Sequence, residues 1–487
     1  MKLTRTFTMI GFLLAALLFM DCKKKEPVIP ALTVSPSEIN LPSAGGIADL
    51  AIKGNTPWSI NNASSSWLLL SQASGNSGSI IVPVSAPLNT TDATRSAVLT
   101  VNASNDHSGR VTFSQSNRIY PSYNLSPKAP DATGMGSNAV QLAAKFKLGW
   151  NIGNTFESPG GETGWGSPVI TEDYVKFVKK QGFNAIRLPC AWNWHHITNE
   201  ATAQIDPNWL NRVKEVVGYC VKNDMYVLLN IHWDGGWLEN NINKVKQDSV
   251  NAKQKALWEQ IATAMRDFDE HLMFASANEP AADNAEQMAI LATYSQTFAD
   301  AVRSTGGKNS YRVLVVQGPS TDIEKTDSLM SSLPVDKVQS RMMVEVHFYT
   351  PYQFCLMFDG DANWGKMFYY WGARHHSAIE PGRNSTSGEE KEITNSFVKM
   401  KTKFADKGIP IILGEYGAFR RNGSATNLPA DLVTHNDAVD YWITFVTKQA
   451  IAHGLKPFWW DTGGALDRRK YKVNDQRTID ALIAGGD

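Results

Sequence analysis

The sequence LMFASANEP at residues 272–280 joins an apolar run of strand length to a polar pair, Asn278 and Glu279. A second stretch, PIILGEYG at residues 410–417, has the same form and carries Glu415. Short apolar runs without alternation are typical of strands that are buried on both faces, as in a parallel sheet. The two stretches therefore predict parallel strands, each with a carboxylate at its carboxyl end.

Further apolar runs of similar length occur in the same part of the chain, and most are separated by stretches with helical apolar spacing. The eight runs span residues 146–150, 183–188, 226–231, 272–277, 313–316, 342–346, 410–413 and 456–460. Alternating strand and helix patterns indicate parallel β-α-β units, and eight such units predict a (β/α)8 TIM barrel. GWNIGNT at residues 149–155 lacks the glycine spacing of phosphate-binding turns, so an open nucleotide-binding sheet is disfavoured.

Polar and aromatic side chains lie at the carboxyl ends of the predicted strands. A TIM barrel gathers these ends on one face, so we expect the side chains to meet there. Cleavage of a glycosidic bond needs two carboxyl groups that flank the bond. Glu279 and Glu415, on the fourth and seventh predicted strands, can face each other across the barrel mouth. The other candidates are Asn151, Arg187, His232, Asn278, His347, Tyr349 and Trp460.

The composition indicates packed domains without a charged partner. The 487 residues are 43% apolar and 10% aromatic, which excludes a wholly disordered chain. Lys and Arg together number 47, as do Asp and Glu, so no net charge attracts nucleic acid or an anionic membrane. We therefore expect no nucleic-acid partner.

The first residues carry a targeting signal. Lys2 and Arg5 precede an apolar run at residues 9–20 that is too short to span a bilayer. Residues 1–22 resemble the signal peptide of a bacterial lipoprotein, in which Cys22 would be lipidated. The resemblance implies an exported protein anchored at the outer membrane or cell surface of a Gram-negative bacterium. We expect the three other cysteines, Cys190, Cys220 and Cys355, to be buried free thiols.

Residues 27–118 are rich in Ser, Thr, Asn, Gly and Pro between short apolar runs, which predicts a small β-sandwich. The sequences VSPSEINLPSAGG (34–46), TPWSI (56–60), SSWLLLSQASGNSGS (65–79) and TRSAVLTV (94–101) resemble a BACON domain, an immunoglobulin-like module. Such a module either binds carbohydrate through exposed Trp or acts as a spacer, and we favour the spacer. Residues 119–138 predict a linker, and the large domain spans 139–487.

Seven motifs of the large domain together resemble glycoside hydrolase family 5 of clan A. They are KLGWNIGNTFES (147–158), GFNAIRLPCAWNWHH (182–196), YVLLNIHWD (226–234), ANEP (277–280), VHFYTP (346–351), LGEYG (413–417) and FWWDTGG (458–464). The opening motifs, with GETGWGSP (161–168), are most similar to the subfamily of endoglucanases, xyloglucanases and mixed-linkage β-glucanases.

The resemblance implies roles for individual residues. Glu279 is implied as general acid/base and Glu415 as nucleophile. Arg187 and Tyr349 would hold the nucleophile, and Asn278 would bind the sugar 2-OH. His232 and His347 would line the central subsite. Trp460 would form its stacking floor, with Trp459 as the alternative. A binding role for His196 is also expected, whereas Trp233 stands where many relatives have a second His.

These roles carry expectations about protonation. A general acid must hold a proton at working pH, so we expect the pKa of Glu279 to be raised by an apolar surround and a neighbouring carboxylate. We expect the guanidinium of Arg187 to lower the pKa of Glu415.

The sequence therefore predicts a monomeric, retaining endo-β-1,4-glucanase that needs no cofactor or metal and acts on cellulose-like chains, xyloglucan or mixed-linkage β-glucan. A β-mannanase or xylanase of the same clan is an alternative, and a non-catalytic glycan-binding lipoprotein is another. Asp359, Asp361 and Asn363 imitate a calcium loop, but Trp364 stands where that loop needs Gly. The adjacent pairs His195–His196 and His375–His376 lack the ligand spacing of a metal site.

Overall fold

The computed structural model describes residues 29, 31–43, 45–89, 93–103, 107–116, 119–358, 363–422 and 428–487. The predicted signal peptide with Cys22 lies outside these ranges, as do Asp359 and Asp361. The chain divides into two compact units. The first contains Thr94–Ser116 and the residues up to Asn89, and the second contains Asn117–Asp487. None of the helices in the described ranges is long and apolar enough to cross a bilayer.

The first unit is a β-sandwich, as predicted. Its strands are β1 (Leu32–Ser35), β2 (Glu38–Leu41), β3 (Gly46–Gly54), β4 (Trp58–Asn61), β5 (Leu69–Leu70), β6 (Ser74–Gly75), β7 (Gly78–Ala86), β8 (Arg95–Ala103) and β9 (Ser108–Gln115). One sheet has the order β1-β3-β7-β5 and the other β2-β9-β8-β4-β6. The pairing is antiparallel except between β2 and β9.

Both Trp side chains of the sandwich serve packing. Trp58 is buried in the core between the sheets. A Cβ added at Gly75 would lie 2.4 Å from a ring carbon of Trp58, so this position needs glycine. Trp67 packs against the same core, and the guanidinium of Arg95 lies 4.5 Å from its ring centroid. Neither side chain therefore presents a broad uncovered ring.

The predicted linker, residues 119–138, lies along the second unit. The backbone N–H of Tyr123 and the hydroxyl of Ser122 both donate to the carboxylate of Glu259, at 2.7 and 2.9 Å. The short strand β10 (Lys128–Pro130) then pairs in parallel with a strand at Gly306–Gly307. The segment leads into helix α1 (Ala139–Ala143), whose first turn is capped by the side chain of Asn138.

The second unit contains a closed parallel barrel of eight strands among the described residues. Its strands in chain order are β11 (Gly149–Ile152), β12 (Ala185–Leu188), β15 (Tyr226–Asn230), β16 (Leu272–Ala275), β18 (Leu314–Gln317), β19 (Met342–Phe348), β20 (Ile411–Tyr416) and β21 (Leu455–Asp461). Short strands outside the barrel are β13 (Ile197–Asn199), β14 (Gln204–Ile205), β17 (Gly306–Gly307), β22 (Leu466–Asp467) and β23 (Lys472–Val473). The barrel confirms the predicted fold, and each predicted apolar run supplies one strand.

Helices lie between the barrel strands and after the last of them. They are α2 (Glu172–Lys180), α3 (Pro207–Lys222), α4 (Gln247–Met265), α5 (Ala285–Ser304), α6 (Ile323–Leu329), α7 (Tyr352–Cys355), α8 (Glu390–Lys403), α9 (Leu432–Ala452) and α10 (Gln476–Gly486). Cys190, Cys220 and Cys355 are buried free thiols, as expected.

The barrel interior changes from apolar to polar along each strand. Successive residues of a strand point to opposite faces, so residues two apart share the interior face. Nearer the amino ends of the strands, the interior is an apolar cluster that includes Ala185, Leu228, Met343 and Phe458. Two positions further along the same strands stand Arg187, Asn230, Glu345 and Trp460. This alternation places a polar layer at the carboxyl ends of the strands.

Candidate active site

Arg187 is at the centre of the polar layer. Its side chain is fully buried, and its guanidinium has five partners on four different strands or strand ends. Nη1 donates to Glu415 Oε1 at 2.8 Å and to Asn151 Oδ1 at 3.1 Å. Nη2 donates to Asn278 Oδ1 at 2.8 Å and lies 3.4 Å from His347 Nε2. Nε lies 2.8 Å from Glu345 Oε1.

Glu415 is the more enclosed of the two predicted carboxylates. It lies near the end of β20, and its side chain is 8% exposed. Besides Arg187, it accepts a 3.0 Å hydrogen bond from the hydroxyl of Tyr349. Burial and the charge of Glu415 raise the pKa of Tyr349 well above its ordinary value, so the phenol keeps the proton that it donates. These two partners fix both oxygens of Glu415.

Glu279 lies at the edge of the same layer and is more accessible. Its side chain is 46% exposed, and its Oε1 lies 2.8 Å from His347 Nδ1. The other ring nitrogen of His347 faces a second carboxylate, because Nε2 lies 3.2 Å from Glu345 Oε1. The His347 ring therefore lies between Glu279 and Glu345.

The two predicted carboxylates face each other across a narrow gap. An oxygen of Glu279, an oxygen of Glu415 and a nitrogen of His347 all lie within 4.8 Å of one another. Carboxyl groups about 5 to 5.5 Å apart match double displacement with retention, whereas inverting enzymes separate them by roughly 6.5 to 9.5 Å. The spacing therefore suits attack by one carboxylate on a sugar carbon directly.

The net pKa shifts of Glu279 and Glu415 differ from those expected from the sequence. Burial raises the pKa of Glu279, but the hydrogen bond and charge of His347 more than offset this, so the pKa lies below its ordinary value. Burial also raises the pKa of Glu415 against the opposing charges of His347 and Arg187. The direction expected for Glu279 was wrong, because His347 contacts it. Arg187 does lower the pKa of Glu415, as expected, but the burial of this carboxyl group outweighs that effect.

His347 owes its charge to the surrounding carboxylates. Burial lowers the pKa of its imidazole, but Glu415, Glu279 and Glu345 together raise the pKa to about 9. Both ring nitrogens face carboxylate oxygens, which is the arrangement that a doubly protonated imidazolium satisfies. The unliganded layer thus holds two cations, Arg187 and His347, among three carboxyl groups.

His232 and Trp460 form an aromatic wall next to this layer. Their rings stack with centroids 5.8 Å apart and planes 13° from parallel. Burial and the charges of Arg187 and His347 lower the pKa of His232 well below its ordinary value, so the ring is neutral. Trp460 is partly exposed, whereas Trp459 is buried and packs edge-on against Tyr416. Of the two candidate stacking residues, Trp460 is the one available to a ligand.

His196 makes none of these contacts. It is buried and stacks on Trp209 with ring centroids 3.8 Å apart, and burial lowers its pKa to about 4. Its role in substrate binding stays a prediction. In other loops of the barrel unit, Trp192 and Trp371 are buried, whereas Trp165 and Trp364 are exposed.

Glu345, Gln317 and Asn151 complete the layer, and Glu345 was not predicted from the sequence as a site residue. Its carboxylate is fully buried and accepts a 2.6 Å hydrogen bond from Gln317 Nε2. Asn151 Nδ2 donates to the carbonyl of Gly414 at 2.9 Å. The period of two from Met343 through Glu345 to His347 was the available signal, because it places all three side chains on the interior face.

The side-chain atoms of the polar layer that could bind a metal ion have hydrogen-bond partners within the layer. Within the described ranges, Glu279, His347 and Glu415 are the one set of His, Cys, Asp or Glu side chains close enough to share a metal ion. Their hydrogen bonds to each other, to Arg187 and to Tyr349 account for the cluster as a carboxylate pair held by cations.

Known proteins share both units of this chain. Residues 151–465 match the family model described as cellulase, glycosyl hydrolase family 5. Residues 56–116 match the BACON model, described as a putative N-terminal binding domain.

Similar proteins cover most of the chain. The xyloglucan-specific endo-beta-1,4-glucanase of Bacteroides ovatus is 32% identical over 96% of this chain and 94% of its own length. A solved Bacteroides ovatus family 5 xyloglucanase in complex with a XXXG heptasaccharide covers 94% of this chain and 100% of its own, with 31% identity and a TM-score of 0.70.

A third relative, a solved xyloglucan-specific β-1,4-glucanase from a ruminal metagenomic library, is 37% identical. It covers 72% of this chain and 96% of its own, with a TM-score of 0.65. The family match spans most of the barrel, and residues 151–465 include Glu279 and Glu415. The chain therefore belongs to glycoside hydrolase family 5 and carries a BACON domain ahead of its catalytic barrel.

Proposed function

We propose that this glycoside hydrolase is a retaining endo-β-1,4-glucanase that cleaves xyloglucan, cellulose-like chains and mixed-linkage β-glucan. The observation that carries the proposal is the pair of carboxylates within 4.8 Å, one accessible and one enclosed. The general substrate class follows from the family. The preference for xyloglucan is supported by the two relatives that are described as xyloglucan-specific.

In the first chemical step, Glu415 attacks the anomeric carbon while Glu279 protonates the departing glycosidic oxygen. The bond between carbon and that oxygen breaks, and an ester between the sugar and Glu415 forms. Arg187 and Tyr349 hold the two Glu415 oxygens in place before attack, so little reorganisation is needed. Tyr349 and Arg187 also stabilise the carboxylate when it is released again.

In the second step, Glu279 acts as a base. It takes a proton from a water molecule, which attacks the same carbon and displaces Glu415, so the configuration is retained overall. Asn278, which Arg187 orients through its Oδ1, would bind the sugar 2-OH as oxocarbenium character develops. Trp460, backed by His232, would stack on the sugar ring.

The titrations of Glu279 and Glu415 are coupled, and this coupling is compatible with a protonated general acid in the first step. When two carboxyl groups interact strongly, their protons come off in steps that belong to the pair. In the unliganded enzyme His347 favours an ionised Glu279. A polysaccharide in the cleft would cover the 46% of Glu279 that is exposed and remove water from it, and this desolvation raises the pKa of a carboxyl group. Substrate binding would therefore help to protonate the general acid.

We further propose that the protein is an exported, lipid-anchored monomer. The basic residues Lys2 and Arg5, the apolar run at 9–20 and Cys22 support export and lipidation.

For the sandwich we propose a spacer role, because Trp58 is buried and Arg95 lies over Trp67. Binding to insoluble β-glucan should accordingly be unchanged by Trp67→Ala.

The function is tested by product analysis on five polysaccharides with one enzyme preparation. We expect hydrolysis of xyloglucan, mixed-linkage β-glucan and carboxymethylcellulose, and turnover of mannan and xylan at least about tenfold slower, because their substituents differ at the subsites. Glu415→Ala should reduce kcat on every hydrolysed polysaccharide by about 10⁴-fold or more. The exposed Glu324→Ala is the matched control. Preference for mannan or xylan, or full activity of Glu415→Ala, would refute the assignment.

The pH dependence of kcat/KM tests the charge of His347. Its imidazolium lowers the pKa of both Glu279 and Glu415. Removing the cation by His347→Asn therefore raises both pKa values and should move both limbs of the bell-shaped profile to higher pH. His453→Asn, far along the chain at the end of α9, serves as control. Unchanged limbs in His347→Asn would show that the ring is neutral.

The anchor is tested by fractionation of cells that express the full chain. Wild-type protein should sediment with membranes and incorporate a radiolabelled fatty acid, since lipidation adds apolar chains that partition into the bilayer. Cys22→Ala should lose the label and appear in soluble fractions, while Cys220→Ala keeps it. A labelled, membrane-bound Cys22→Ala protein would rule out this site.

A further inference from the structure

Glu345 is a third carboxylate of the polar layer, besides Glu279 and Glu415, and it contacts both Arg187 and His347. It is fully buried under His347 and Arg187, on β19. Its Oε1 lies 2.8 Å from Arg187 Nε and 3.2 Å from His347 Nε2, and its Oε2 accepts from Gln317 Nε2 at 2.6 Å. A buried ionised carboxylate is costly unless it is paired in this way.

The neighbouring strand is adapted to this side chain. A Cβ added at Gly414 would lie 2.0 Å from Glu345 Oε1, so only glycine leaves room for the carboxylate at that place. Gln317 is itself fixed, because its Oε1 accepts from the hydroxyl of Ser276 at 2.6 Å and from the backbone of Ala277 at 2.9 Å. Gln317 on β18 and the space left by Gly414 on β20 therefore fix the position of Glu345.

The charge count explains why a third carboxylate is there. Arg187 and His347 carry two positive charges, and without Glu345 these would be balanced by ionising both Glu279 and Glu415. With Glu345 ionised, the layer is neutral when the Glu279–Glu415 pair retains one proton. One proton on the pair is what the first step of double displacement requires.

We propose that Glu345 is a positioning residue whose buried negative charge keeps one proton on the Glu279–Glu415 pair and keeps His347 doubly protonated. This inference rests on the proposed retaining mechanism. The groups that face His347 are the carboxyl groups of Glu279, Glu345 and Glu415 and the guanidinium cation of Arg187, with neutral His232 and Tyr349 nearby. Glu345 also contributes to the raised pKa of His347.

Glu345→Gln tests the charge with little change of shape. Loss of an anion disfavours the protonated form of every neighbour, so the pKa of His347 and of the carboxyl pair should all fall. The basic limb of kcat/KM should therefore move to lower pH, which is opposite to the shift expected for His347→Asn. We expect kcat to fall about 10- to 100-fold, with KM little changed, as for outer residues that orient a reactive group.

The decisive readout does not depend on activity. The full chain labelled with ¹⁵N-histidine has ten His residues, and the His347→Asn spectrum identifies the signals of His347. In Glu345→Gln the His347 titration should move to lower pH. Glu157→Gln is the matched control, because Glu157 is a buried carboxyl group that accepts from the backbone of Asn154 and Thr155. It should leave the His347 titration unchanged.

Glu345→Asp provides a second variant that keeps the charge but shortens the side chain. Its His347 titration should lie between those of wild type and Glu345→Gln. An unshifted His347 titration, or an unshifted basic limb, in a folded Glu345→Gln protein would overturn the proposal. If wild type and Glu157→Gln hydrolyse none of the polysaccharides, the proposed function fails instead, and the His347 titration still tests Glu345.

Discussion

The site depends on burying the guanidinium of Arg187 at the top of a closed barrel. A buried cation is tolerated only where carboxylates and hydrogen-bond acceptors surround it, and leaving one unpaired costs about 3–5 kcal/mol. Arg187 has its acceptors on Asn151, Asn278, Glu345 and Glu415, which come from four other strands or strand ends. Because these four side chains contact one planar group, their positions depend on the closure of the barrel.

The same constraint separates the roles of Glu279 and Glu415. Glu415 is enclosed and held by two donors, which suits the proposed nucleophile, whereas Glu279 is half-exposed and pairs with His347. Their environments differ although both stand at the end of an apolar strand. Two cations and a third carboxylate beneath them determine how many protons the pair holds.

The sequence was sufficient to predict the barrel and both glutamates, because short apolar runs and the residues at their ends are local signals. The eight strands were confirmed. The structure also brings Asn278 and Glu415 to Arg187, whereas the roles of these residues stay predictions. The sequence could not predict the direction of the pKa shifts, since these depend on which carboxylate His347 contacts. The sequence also did not decide whether Trp459 or Trp460 stacks on the sugar, because only the strand's orientation shows which ring is buried. Glu345 was missed because its partners are 28 to 158 residues away along the chain, apart from His347.

Trapping the covalent intermediate tests the central claim most directly. A 2-deoxy-2-fluoro-β-cellobiosyl fluoride slows both chemical steps by destabilising the oxocarbenium-like transition state, while its good leaving group still permits the first. Mass spectrometry of the inactivated enzyme should show one added glycosyl group, located on the peptide that contains Glu415. An adduct on another residue, or products of inverted configuration without any adduct, would contradict the account.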